Sequence, residues 1–444
     1  MRRIPLGDIE ATAAALHASA EVPDELRRTV GDIVAEVRRN GDAALREFTR
    51  RFDGVEIGAA VVGASGRAGG DASGAEGGDA AGTLRVPPAS LAAALERLAP
   101  ELTEALRLAA ANIRAYHEHE LPRPWRETLA QGQVVGQEIV PLAAVGLYVP
   151  GGLADYPSSV LMTAIPAQVA GVERIVVCSP PRADGSVPPG VAAACALLGL
   201  DYIVPVGGAQ AVAAMACGTA SVPRCDIIVG PGNRYVTEAK RQLMGEVAID
   251  SLAGPSEVLI VAGEGSDPVW LAADLLAQAE HLAGAMGAVL SLSPELSDAL
   301  EREVPRLAAQ LGVAADEVTV VDCPSAEAAM ALVNAFAPEH LELHVDEPRE
   351  LLRGVRNAGA IFAGRYAATA FADYAAGTNH VLPTRGAARF SQGLSASVFA
   401  KRVAVVELDA AAASRLARPV ATIAREEGYV AHALSAELRR RTDA

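Results

Sequence analysis

The chain has 444 residues, 51% of them apolar and only 4% aromatic, with a formal charge of −16. That length corresponds to roughly three domains, with ample apolar material for large cores packed by alanine, valine and leucine rather than by rings. The acidic balance excludes a nucleic-acid footprint, which needs a basic patch, but leaves room for a locally positive site that takes a small anion.

The opening MRRIPLGDIEATAAALH lacks the apolar run of a secretory signal, and no apolar run reaches the roughly 18 residues of a membrane span. The five cysteines, Cys178, Cys195, Cys217, Cys225 and Cys323, form no CxxC pair. They read as reduced core thiols of a cytoplasmic protein. Residues 20–56 carry apolar positions at helical spacing in two segments, with stops at Gly41 and Gly54. Residues 58–83, rich in Gly, Ala, Ser and Asp and without a period, read as a mobile insertion outside the core. Residues 88–119 return to helix, from Pro88 with Ser90 as its cap.

From about residue 136 short β-branched runs alternate with helical stretches. The runs are Ile175–Pro180, Tyr202–Gly208, Asp226–Asn233, Val258–Gly265, Val318–Cys323 and Ala360–Arg365. Being almost continuously apolar, with helices between them, they read as parallel strands buried on both faces. The fold class is therefore α/β with more than one sheet, closed by a helical tail over the last 40 residues. Ligands in such sheets bind at the carboxyl ends of strands. Gly-Gly after Val206 and Gly-Pro-Gly-Asn after Val229 sit at such ends, where backbone can approach a ligand. Neither is GxGxxG, and the simpler alternative is a tight turn.

Four clusters carry chemistry. In WLAADLLAQAEHLAG (Trp270–Gly284), Gln278 shares the apolar stripe with Leu271, Leu275 and Leu282, with His281 about 60° round the helix and Glu280 on the solvent side. An amide and an imidazole one turn apart can meet one metal ion or one polar ligand. Glu339 and His340 adjoin just before a strand, two proton carriers of different pKa. His344, alternating with leucines, is expected to face solvent or a neighbour. The irregular segment Ala372–His380 offers Asp373 as a carboxylate ligand and His380 as a contact for a polar substrate group. Glu427 and His432 flank Gly428 in the tail. Taken singly, each cluster has a bland reading: a hydrogen-bonded amide, a satisfied histidine, an Asx turn at Gly377, a surface histidine. Taken together, Gln278, His281, Asp373 and His432 make a set of two imidazoles and two oxygens suited to zinc with an open position.

Seven motifs in order, LYVPGG (Leu147–Gly152), GGAQA (Gly207–Ala211), GPGN (Gly230–Asn233), AGPSEVLI (Ala253–Ile260), QAEH (Gln278–His281), PEHL (Pro338–Leu341) and GTNHVLPT (Gly377–Thr384), resemble the histidinol dehydrogenase family over residues 20 to 440. The resemblance implies a zinc-dependent enzyme that oxidises L-histidinol to L-histidine, through L-histidinal, with two NAD+. It implies Zn2+ held by Gln278, His281, Asp373 and His432, with His340 as general base and Glu339 activating water. It implies substrate contacts at Ser256, Gln278, His281, His340, Asp373, His380, Glu427 and His432, and NAD+ contacts at Tyr148, Gln210 and Asn233. It further implies an intertwined homodimer whose tail reaches the partner's site, so that Glu427 and His432 act in trans. The implied architecture is two Rossmann-like parallel-sheet domains, one inserted in the other: an N-terminal helical segment (1–19), a first domain (20–147 and 257–394), an inserted second domain (148–256) and a C-terminal helical tail (395–444). Leu282-Ala283-Gly284 after QAEH and the long 58–83 insertion depart from the family pattern, and the irregular nicotinamide site of the family accords with the missing GxGxxG. The alternatives are a related dehydrogenase of another amino or sulfonated alcohol and, from another class, a zinc hydrolase.

Overall fold

The structure is a computed structural model that describes residues 1–17, 22–58, 83–151, 154–281 and 284–440. Its centre is two parallel sheets. One has six strands, in the order Arg2–Pro5, Val318–Asp322, Met286–Ser291, Glu257–Ala262, His340–His344 and Ala360–Ala363. The other has five, in the order Ile203–Val204, Arg174–Cys178, Ala144–Tyr148, Ile227–Val229 and Ala248–Ile249. All pairings in both are parallel. A smaller antiparallel sheet pairs Val134–Pro141 with Trp125–Thr128 on one side and Ala400–Glu407 on the other.

The central strands are apolar on both faces because helices cover both faces. In the six-stranded sheet, Leu259 and Val261 pack with Leu16, Leu332 and Phe336, while Val258 and Ile260 pack on the other side with Leu271, Leu275 and Leu300. In the five-stranded sheet, Val176 and Ile228 pack with Val30, Leu45 and Met215, and Val145 and Leu147 with Ile113, Leu161 and Ile165. Four of the cysteines, Cys178, Cys195, Cys225 and Cys323, are buried free thiols, and Cys217 is half-buried.

Several expected boundaries shift. The N-terminal segment holds the expected helix, Ile9–Leu16, but opens with a strand, since Arg2–Pro5 pairs with Val318–Asp322 and the Arg3 guanidinium bonds the Asp322 and Asp298 carboxylates at 2.7 Å. The helices Asp24–Asn40 and Asp42–Phe52 lie on the five-stranded sheet, and the division expected between 147 and 148 cuts one of that sheet's own strands, Ala144–Tyr148. Residues 88–119 form two helices, Pro88–Glu96 and Pro100–His117, each opened by its own proline; Ser90 lies inside the first and does not cap it. The region from 395 runs through a short 3-10 helix, Ala396–Phe399, and then strand Ala400–Glu407, whose residues pair with Val134–Pro141, before the helices Ala410–Glu426 and Val430–Glu437. The insertion at 59–82 lies outside the described residues. Among those described, no helix is long and apolar enough to cross a membrane.

Candidate active site

His340 opens strand His340–His344, and the geometry fixes which of its nitrogens is free. Nδ1 lies 3.0 Å from the Glu257 carbonyl oxygen, which can only accept, so Nδ1 carries the proton. Nε2 is thereby the basic nitrogen; it is buried, makes no hydrogen bond, and lies 3.8 Å from Asp373 Oδ1. Glu339, immediately before the strand, is held by two donors to one oxygen: the Ser256 hydroxyl at 2.7 Å and the Glu257 N–H at 2.8 Å. Burial pushes its carboxyl above the usual range, opposed by His340 and those two hydrogen bonds. His380 Nδ1 bonds the Asp373 carbonyl at 3.0 Å, and burial pulls its pKa down, against the raising effect of Asp373. A buried carboxyl, a buried imidazole with one open nitrogen and a half-buried second imidazole therefore lie in one cluster.

The helix carrying Gln278 runs Pro268–Ala279, capped by Asp267, and stops before His281. The expected stripe holds for Gln278, which is 3% exposed, while Glu280 is exposed. His281 belongs to the turn after the helix, with Nδ1 3.2 Å from the Ala277 carbonyl, which leaves Nε2 for a ligand. Leu282 and Ala283 lie outside the described residues. The helix touches Thr369–Tyr374, which carries Asp373, and His281 and His340 both act electrostatically on His380. The amide nitrogen of Gln278 is buried without a hydrogen-bond partner, as is His340 Nε2. Buried polar groups left open in this way are costly without a ligand. An amide oxygen, an imidazole and a carboxylate on touching elements fit a divalent ion of borderline softness.

These groups lie at the amino ends of the six-stranded sheet, contrary to the general expectation for such sheets, because Ser256 and Glu339 directly precede their strands. The carboxyl-end rule describes the five-stranded sheet. There Tyr148 ends its strand, is buried, and accepts the Gly208 N–H at 3.1 Å. Gln210 is buried in the first turn of Gly208–Cys217, and Asn233 caps Arg234–Leu243 by accepting the Tyr235 and Val236 N–H groups. Segment 379–399 joins the two halves: Asn379 donates to the Met162 carbonyl at 2.7 Å, and Leu394 and Phe399 lie in the core of the five-stranded sheet.

A family model described as histidinol dehydrogenase matches residues 70–440. A histidinol dehydrogenase of Synechococcus is 45% identical, covering 93% of this chain and 92% of the relative. One of Geobacillus kaustophilus is 44% identical over 94% of each. The solved histidinol dehydrogenase of Elizabethkingia anophelis superposes with a TM-score of 0.89 at 30% identity, covering 99% of this chain and 98% of that one. The chain belongs to the histidinol dehydrogenase family. It is accordingly an NAD-dependent oxidoreductase.

Against that membership, two expected residues of the histidinol dehydrogenase site stand apart within one chain. Glu427 and His432 are exposed in the tail; the His432 ring packs on Tyr429, and neither residue makes a hydrogen bond, ion pair or ring contact with the cluster. Sequence reasoning also missed three residues. His344, expected to face solvent or a neighbour, faces a neighbour: it is 2% exposed and lies 3.1 Å from Glu342, with Asp274 close to both, because helices cover that strand face. The signal was the repeat His340, Glu342, His344, which puts all three on the face of the proposed base.

Proposed function

We propose that the protein oxidises L-histidinol to L-histidine through L-histidinal with two NAD+, with one Zn2+ held by Gln278, His281 and Asp373 and by His432 of a second copy of the chain. The observation that carries this reading is His340: a buried imidazole with one nitrogen committed to a carbonyl and the other free beside a carboxylate. Bound zinc would grip the amino and imidazole nitrogens of the substrate and so fix the reacting carbon, with NAD+ as hydride acceptor. His340 Nε2 takes the hydroxyl proton as hydride leaves. Glu339, its carboxyl raised by burial, takes a proton from the water that adds to the aldehyde. Once its first proton has passed to solvent, His340 Nε2 takes a second as the hydrated aldehyde gives up its hydride. Ser256 holds the Glu339 carboxylate, while the neutral His380 offers a contact to a polar substrate group. Burial of Gln278, Glu339 and His340 limits access of outside water to the reactive aldehyde. On this reading Tyr148, Gln210 and Asn233 line the NAD+ site.

The tail supports a shared site. Ile423 (60%), Val430 (70%) and Leu438 (74%) are among its exposed apolar residues, more than a lone helical pair in water would favour. An intertwined homodimer would cover that face and bring Glu427 and His432 to the partner's cluster. The same reading keeps the two parallel sheets as two Rossmann-like units, the five-stranded one inserted, in a cytoplasmic enzyme. The test is an anaerobic count of NADH per L-histidinol. Two are expected, none after chelation, and His340→Asn should lower turnover at least about 100-fold while zinc stays bound. One NADH per substrate, or none with zinc present, overturns the reading.

A further inference from the structure

The strand of the proposed base carries a second buried polar group that the reaction above leaves unused. Its residues His340, Glu342 and His344 share one face, beside Val258, Ile260 and Ala262 of the neighbouring strand. That face is covered: Glu342 is 0% exposed. One Glu342 oxygen accepts both the Thr369 N–H and the Thr369 hydroxyl, each at 2.8 Å. The other lies 3.1 Å from His344 Nε2. Asp274, Glu342 and His344 present ligand-type atoms all within 4.8 Å of one another. None of the three is left with a buried atom lacking a partner, in contrast to Gln278 and His340, so the group reads as a closed tie and not as a second cation site.

What it ties is the notable point. Asp274 lies one helical turn before Gln278 on the same helix. Thr369 is the first residue of the short helix that bears Asp373. Glu342 is two residues beyond His340 on the same strand. We propose that Glu342 is the positioning residue of this active site: through Asp274 and Thr369 it locks the two helices onto the strand, in the register at which Gln278, Asp373 and His340 converge. Charge-assisted hydrogen bonds in a dry setting resist the small slides that would part these groups. The proposal rests on the reading of Gln278 and Asp373 as zinc ligands.

The test uses the full-length protein, with zinc affinity measured by competition against a chelator and folding checked by circular dichroism. Thr369→Val removes one donor and keeps the shape. It should weaken zinc binding about tenfold and raise the KM for histidinol, with the KM for NAD+ unchanged. Glu342→Gln keeps an acceptor for Thr369 and should retain more zinc affinity than Glu342→Ala. If Thr369→Val lowers the melting temperature but leaves zinc affinity and the histidinol KM untouched, the tie is merely structural and the proposal fails. Asp373→Ala separates the two readings. If it loses zinc while Thr369→Val does not, only positioning is wrong; if it keeps zinc, the ligand assignment falls and the positioning role falls with it.

Discussion

His340 and Asp274 are both defined by what their polar atoms meet. For His340 the committed Nδ1 and open Nε2 fix the tautomer on which its proposed role as base rests. For Asp274, burial first, then the Glu342 carboxylate, push the pKa up to about 7, against the lowering effect of His344. An unfolded aspartate titrates near 4. Between those values the folded chain holds a proton that the unfolded chain releases. The stability it brings is therefore present at low pH and lost as pH rises through about 7. Asp274→Asn should remove that slope. Urea unfolding at pH 5 and pH 8 should show the wild type losing at least about 1 kcal/mol more than the variant over this interval; equal losses contradict the raised Asp274 pKa. Gln278 was legible in the sequence because an amide on an apolar stripe stands out. Glu342 and His344 were not, since alternation alone cannot distinguish a face turned to water from one covered by a helix.

The turn after Ile227–Val229 shows what an element can hide. Its Gly230 has φ +112°, and a Cβ there would come within 2.1 Å of the Tyr148 carbonyl oxygen, so only glycine fits. The sequence shows that glycine but not the clamp on it. Lys240 Nζ donates to the Gly230 carbonyl at 2.6 Å and to Asp250 at 2.7 Å, while the other Asp250 oxygen accepts the Gly230 N–H at 2.7 Å. Both side chains are about 5% exposed or less, so the pair is fully desolvated. Lys240→Met should cost about 3–5 kcal/mol in denaturant unfolding, because it strands the Asp250 carboxylate. The double variant Lys240→Met with Asp250→Leu should recover part of that loss. Most strands of the two large sheets were readable as bulky apolar runs. Met286–Ser291 was not, since Gly287 and Ala288 give it little bulk, and Arg2–Pro5 was not, since Arg2 is satisfied by the Thr319 hydroxyl and Arg3 by acidic partners at a sheet edge.

For the whole molecule, the arrangement of the two sheets is what a linear reading could not supply. The alternation of strands and helices gave the α/β class, but which helices cover which sheet depends on contacts between residues some 200 positions apart, such as Arg38 with Glu246. The proposed chemistry draws on opposite ends of the two sheets: carboxyl ends for the turns at Gly208 and Gly230, amino ends for Ser256 and His340. Completing it requires a tail that in one chain stays exposed. The most direct test is anomalous diffraction at the zinc edge from crystals of the zinc-loaded protein. The account predicts one peak per chain, about 2.0–2.2 Å from Gln278, His281 and Asp373 and from His432 of a second copy. A peak among Asp274, Glu342 and His344 instead, or a Gln278–His281–Asp373 site completed by no second chain, would contradict it.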